Sequence, residues 1–171
     1  MSHGAWVMSR GLRLALAMGV FALASCGSGY RGYMTRAYTV RGQTYHPMSV
    51  AQALTFEETG TCSWYNESSV FGLKRGSTSL GEKVMPWALI GAHKTLPLPC
   101  LVKVTNLNTG KSVNVRINDR GPFIAGRHLD LSPRAARKIG FYGKGLTTTH
   151  LQVLSVGDGS YKRSKRHGWF F

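Results

Sequence analysis

Apolar and polar positions alternate most cleanly along Val113-Asn114-Val115-Arg116-Ile117-Asn118, which puts Val113, Val115 and Ile117 on one face of an extended segment. The same period of two runs through Leu101–Leu107 and returns in Thr148–Val156, so strands are expected in all three places. Asn108-Thr109-Gly110 between the first two is a hairpin signal. Thr61–Tyr65 reads as the first strand of a compact unit running from about Glu57 to Val156. Ser132-Pro133-Arg-Ala-Ala-Arg-Lys-Ile-Gly140 predicts a helix, because Ser132 can cap it, Pro133 suits its first turn and Gly140 stops it. Many short strands with one or two short helices predict a mainly β fold, a small barrel.

Carrying the period of two onward from Ile117 places Asp119 on the apolar side, at the entrance to a turn marked by Gly121-Pro122. A carboxyl there is expected to be partly desolvated, which raises its pKa and lets it donate a proton near neutral pH. The chain holds only seven acidic residues, so few groups are available for such a role.

Outside the compact unit the pattern weakens. Residues 26–56 are rich in Gly, Tyr, Arg, Thr and Ser and read as a tether with one short strand near Ala37–Val40. Asn66–Gly81 reads as a long Ser/Gly-rich loop, a length often used for binding. The end, residues 157–171, is a basic-aromatic tail: either a disordered terminus or an anchor to anionic surfaces. The start has the layout of a secretory signal, with Arg10 and Arg13 before an apolar run from Leu14 to Leu23. Leu23-Ala24-Ser25-Cys26 looks like a lipobox, so residues 1–25 are expected to be a lipoprotein signal peptide and Cys26 the acylated residue. Gly27 after that Cys points to the outer membrane, facing the periplasm.

The 171-residue chain carries a formal charge of +15. Without residues 1–25, 20 basic residues face seven acids, a formal +13. In an exported protein that excess meets lipid head groups and wall polymers, and the signal argues against nucleic acid as partner. Cys62 and Cys100 remain as either a disulfide, stabilising by about 3–4 kcal/mol, or two buried thiols. No Cys or His pair has finger-like zinc spacing, so no metal is expected.

Six runs, in order, resemble the rare lipoprotein A (RlpA-like) family: Cys62-Ser63-Trp64-Tyr65, Gly81-Glu82, Ala92-His93-Lys94-Thr95-Leu96-Pro97, Val104-Thr105-Asn106-Leu107, Asn118-Asp119-Arg120-Gly121-Pro122-Phe123 and Arg127-His128-Leu129-Asp130-Leu131-Ser132. Tyr38-Thr39-Val40-Arg41-Gly42-Gln43-Thr44-Tyr45-His46-Pro47 resembles the segment these lipoproteins carry upstream. The resemblance implies a six-stranded double-psi β-barrel over residues 57–156. It also implies a lytic transglycosylase that cleaves β-1,4 bonds of peptidoglycan glycan strands lacking stem peptides. His128-Leu129-Asp130 is similar to a run in expansins, so a non-catalytic wall-binding or wall-loosening lipoprotein is the alternative, and an adaptor for division or other envelope proteins a third.

Carried over, Asp119 and Glu82 match the family's catalytic acidic pair, with His93 in the groove. Asp119 would protonate the leaving oxygen and then take the proton of the muramic acid 6-hydroxyl, while an ionised Glu82 steadies the developing cation. His93, Asp130, Arg120, Asn118 and Tyr65 are the candidates for substrate contact. Asp130, just ahead of the helix, could instead favour the helix start. Proton transfer suffices for this chemistry, so no cofactor is expected. The chain departs from the family at Asn66, Phe71-Gly72-Leu73 and Val84-Met85, and a C-terminal peptidoglycan-binding repeat domain is not expected.

Overall fold

The computed structural model describes residues 34–65, 76–85 and 87–163. The signal segment, Cys26, the loop over 66–75 and the last eight residues of the tail lie outside the described residues.

A short hairpin, β1 (Tyr38–Val40) with β2 (Gln43–Tyr45), and the helix α1 (Val50–Thr55) come first. The strands β3 (Glu57–Trp64), β4 (Ile90–His93), β5 (Cys100–Asn106), β6 (Ser112–Asp119) and β7 (Arg127–Leu131) follow, then the helix α2 (Pro133–Lys138) and β8 (Leu146–Val156). The two-residue strand β9 (Tyr161–Lys162) is appended to the end of β8. The strands hydrogen-bond in the order β3-β7-β4-β6-β5-β8, and β8 pairs back onto β3, which closes a six-stranded barrel. Two of these pairings, β3 with β7 and β4 with β6, are parallel and the rest antiparallel.

The alternation seen in the sequence fills this barrel. Val102, Val104, Val115, Ile117, Leu151 and Val153 are fully buried from β5, β6 and β8, each contributing about 1.5–3 kcal/mol by leaving water. β4 and β7 carry no alternation because nearly every residue in them is buried. Strands covered on both faces have no polar side to display. Gly91 in β4 is required by packing: a Cβ there would lie 2.8 Å from the backbone oxygen of Asp130.

The expected helix is present with Ser132 as its cap. Its hydroxyl accepts from Ala135 N at 3.3 Å and donates to Ala88 O at 2.6 Å. The stretch expected as a tether is structured from Met34 onward. Ser49 and Gln52 form a reciprocal capping box that starts α1, and Met34 pairs with Leu98 of the barrel. Cys62 and Cys100 are free thiols buried in the core rather than a disulfide. Each packs within its own strand among apolar neighbours, and burial pushes the Cys100 thiol up to about 12 and raises Cys62 as well.

Candidate active site

β6 does not keep its period of two to the end. Opposite β4, Ile117 pairs with Gly91 but Asp119 pairs with Ala92, so Asn118 is an extra residue in a bulge. The bulge turns Asn118 inward, where it is buried, and leaves Asp119 half-buried instead of lodged on the apolar face. The inserted residue thus changes the face that Asp119 takes from the one strict alternation gives.

Asp119 is met by a short loop. Ser77 bridges Lys83, Thr78 N donates to Glu82 O at 2.8 Å, and Glu82 N donates to Thr78 Oγ1 at 3.2 Å. Gly81 turns this loop with φ +75°, a conformation side chains with a Cβ rarely adopt. The loop presents Ser79 and Glu82 to the end of β6. Ser79 donates to Asp119 Oδ1 through its backbone N–H at 2.8 Å and its hydroxyl at 2.6 Å, and Arg120 N donates to the same oxygen at 2.8 Å. All three bonds fall on Oδ1, and all three donors are uncharged.

Glu82 sits in a different environment. Its Oε2 accepts from Arg116 Nη1 at 2.6 Å and from Asn118 Nδ2 at 2.7 Å. Partial burial raises its pKa, but the bonds from Arg116 and Asn118 and the guanidinium charge outweigh burial and hold the carboxyl below its usual range. Glu82 is therefore an anion at neutral pH. Arg116 is shared with Asp158, at 3.1 Å from Nη2. The amide of Asn118 is oriented by Glu82, and its Oδ1 is buried without a partner among the described residues.

The other substrate-contact candidates are committed elsewhere. Arg120 is a clamp: its guanidinium donates to Leu96 O at 2.5 Å, Met34 O at 2.9 Å and Lys94 O at 3.3 Å, and lies 5.1 Å from the centre of the Tyr38 ring. Among the described residues it reaches no acidic side chain, and neither Arg120 nor Arg116 forms an ion pair with Asp119. His93 is buried with both ring nitrogens in use. Nδ1 accepts from Thr95 N and Leu96 N, each at 3.1 Å, so the proton is on Nε2 and is donated to Glu58 Oε2 at 3.0 Å. Burial lowers the pKa of His93 despite the opposing pull of Glu58, so this contact is a hydrogen bond from a neutral ring. Both ring nitrogens of His93 are thus engaged within the protein. Asp130 is buried in β7, where its Oδ1 accepts from Ser63 Oγ and from Arg127 Nη2 at 2.7 Å, so it neither starts α2 nor faces Asp119. Tyr65 follows β3 with its backbone N–H on Leu131 O at 3.1 Å.

The sequence singled out neither Ser79 nor Glu58, and Arg116, a candidate partner for Asp119, is paired with Glu82 instead. Glu58 gathers His93 and His128, whose Nδ1 is 3.2 Å from Oε2 and whose Nε2 is 2.9 Å from Thr149 Oγ1. Gly60 leaves room for that arrangement, since a Cβ there would lie 3.0 Å from the His128 ring. Ser79 had one signal, its place three residues before Glu82 in a loop with Gly81. Among the described residues no group of three or more His, Cys, Asp or Glu side chains could hold a metal ion.

The profile of the lytic transglycolase family matches residues 57–151. The chain is similar to a protein of Campylobacter jejuni named endolytic peptidoglycan transglycosylase RlpA, with 41% identity over 138 residues, 81% of this chain and 48% of that one. Proteins of the same name from Pseudomonas aeruginosa and Neisseria meningitidis are 48% identical over 119 residues and 44% identical over 124 residues. These matches cover 70% and 72% of this chain and 33% and 48% of those proteins. The chain thus spans about half or less of the length of the curated relatives it matches.

Proposed function

Because the chain belongs to the lytic transglycolase family, with its double-psi β-barrel, we propose that it is a lytic transglycosylase of peptidoglycan in which Asp119 handles the proton and Glu82 the charge. The observation that carries this reading is the contrast between the acidic side chains. Among the described residues, Glu57, Glu58, Glu82, Asp130 and Asp158 each have a cationic or imidazole partner within 4 Å, and Asp119 has none. A carboxyl that must give and regain a proton cannot be locked to a guanidinium, whereas one that must remain an anion benefits from one.

In the proposed reaction, Asp119 in its acid form protonates the oxygen of the β-1,4 bond as it breaks, and the Glu82 carboxylate opposes the positive charge gathering on the muramic ring. The Asp119 carboxylate then takes the proton of the 6-hydroxyl as that oxygen closes on C1, which leaves a 1,6-anhydro end and restores the acid. Water is neither consumed nor released. Ser79 and Arg120 N hold Oδ1, so Oδ2 is the oxygen that would face the bond. We further propose that the substrate is glycan lacking stem peptides, and that Cys26 is acylated and anchors the protein at the outer membrane.

The test is incubation of the protein with peptide-stripped glycan strands, with the ends identified by mass spectrometry. Native protein is expected to leave 1,6-anhydromuramic ends. Asp119→Asn keeps an oxygen at the Oδ1 position for all three hydrogen bonds, so it should fold normally and lose roughly 10²–10⁴-fold in rate. Glycan retained on the native protein without any anhydro product would instead assign a wall-binding module.

A further inference from the structure

We propose that the end of the barrel remote from Asp119 is a docking surface for an anionic phospholipid bilayer. β6 runs from Ser112 to Asp119, so its two ends lie on the order of 23 Å apart at about 3.3 Å per residue. At the Ser112 end three pieces of chain are tied together. Leu107 N donates to Thr148 O at 3.0 Å, and Asn108 Nδ2 donates to Thr147 Oγ1 at 3.0 Å. Asn106 Nδ2 and Thr109 Oγ1 both donate to Ile139 O, at 2.8 and 2.9 Å, which brings the end of α2 to the same place.

These bonds hold two leucines out into water, Leu107 at 52% and Leu146 at 53% exposure. Lys111, Arg137, Lys138 and Lys144 are exposed around them. None of the four makes an ion pair among the described residues, and residues 83–118 and 131–157 contain no Asp or Glu. Lys111 approaches the backbone at Gly140, and Arg137 is fixed over the Tyr142 ring at 3.9 Å.

Apolar tips ringed by unpaired cations match the boundary of a bilayer, where phosphates meet the cations and the acyl region takes the leucines. A sugar polymer or a nucleic acid would satisfy the charges and leave both leucines in water. Each cation near an anionic membrane is worth about five-fold in partition, so the four together are worth on the order of 10²-fold or more. Docked this way, the barrel directs the Asp119 end away from the lipid. This surface does not depend on the catalytic reading.

The experiment is amide hydrogen exchange on the full chain, with vesicles of phosphatidylglycerol and phosphatidylethanolamine, and with phosphatidylcholine vesicles as the neutral arm. Exchange at residues 107–111 and 143–146 should slow at least five-fold with the anionic vesicles, and not with the neutral ones or in 0.5 M salt. The protection should vanish at these amides in Lys111→Gln/Arg137→Gln/Lys138→Gln/Lys144→Gln, whether or not the two termini still hold the vesicle. Leu107→Ser/Leu146→Ser should weaken it while leaving its salt dependence in place. Protection confined to the termini or to residues around Asp119, or equal protection in the quadruple variant, overturns the proposal. So does protection by soluble glycan strands in the absence of any effect from vesicles.

Discussion

Arg120→Lys separates a structural clamp from a substrate contact. The guanidinium spans three carbonyl oxygens, Leu96 O, Met34 O and Lys94 O, on two stretches of chain that are distant in sequence. A lysine ammonium is a point donor on a flexible stem and cannot reach all three at once. Two bonds from a charged donor are therefore lost or lengthened. At about 1.5–3 kcal/mol each when buried, and discounted for partial solvent access, the cost is about 2–4 kcal/mol. The contact with the Tyr38 ring accounts for up to about 1 kcal/mol of that range. A domain of this size loses roughly 4 °C of Tm per kcal/mol, so calorimetry should record a fall on the order of 10 °C. Steady-state cleavage of peptide-stripped strands of defined length should show KM unchanged within about two-fold. A KM raised ten-fold or more with Tm within 2 °C of the native protein would show that the guanidinium grips the substrate, and the reasoning from its carbonyl partners would be wrong.

Stability should fall with acid in two stages. His93 has a lowered pKa, so below its ordinary 6.5 the unfolded chain takes up a proton that the native ring, with Nδ1 bonded to two N–H groups, refuses. Glu58, bonded by His128 and His93, and Glu82 have lowered pKa values, so their contribution is present above 4.5 and lost below it. A Tm that stays flat from pH 7 to pH 4 would contradict both assignments. Gly91→Ala should destabilise by about 1–3 kcal/mol in denaturant titration, because its Cβ meets the backbone oxygen of Asp130 and neither strand can yield; a neutral effect would mean that β4 and β7 are farther apart than described. Burial raises both thiol pKa values and shields the sulfurs, so neither Cys62 nor Cys100 should react with a disulfide reagent at pH 8 until the protein is unfolded. Fast modification of either in the native state would refute their burial.

Local pattern was enough for the elements that bury one face. Leu101–Leu107, Ser112–Asn118 and Thr148–Val156 became β5, β6 and β8 within a residue or two, because one-sided burial writes itself as alternation. The stop and cap at Ser132 and Gly140 defined α2 for the same local reason. The helix at Val50 was missed, although Ser49-Val50-Ala51-Gln52 carries its capping signature, because the polar composition around it reads as a tether. The order of short motifs sufficed to single out Asp119 and Glu82 as the pair proposed here for catalysis.

Closure of the barrel decided the rest. β4 and β7 are covered on both sides and so leave no periodic trace, and the bulge at Asn118 exists only because β6 must meet β4 out of step. Arg120 follows Asp119 directly, and His93 and Asp130 stand in runs of the same ordered set, yet their partners lie up to 86 residues away along the chain. A guanidinium or an imidazole bonds whichever carbonyl or carboxylate arrives within about 3 Å. That distance is set by how the strands are stacked around the barrel, which no run of neighbouring residues encodes.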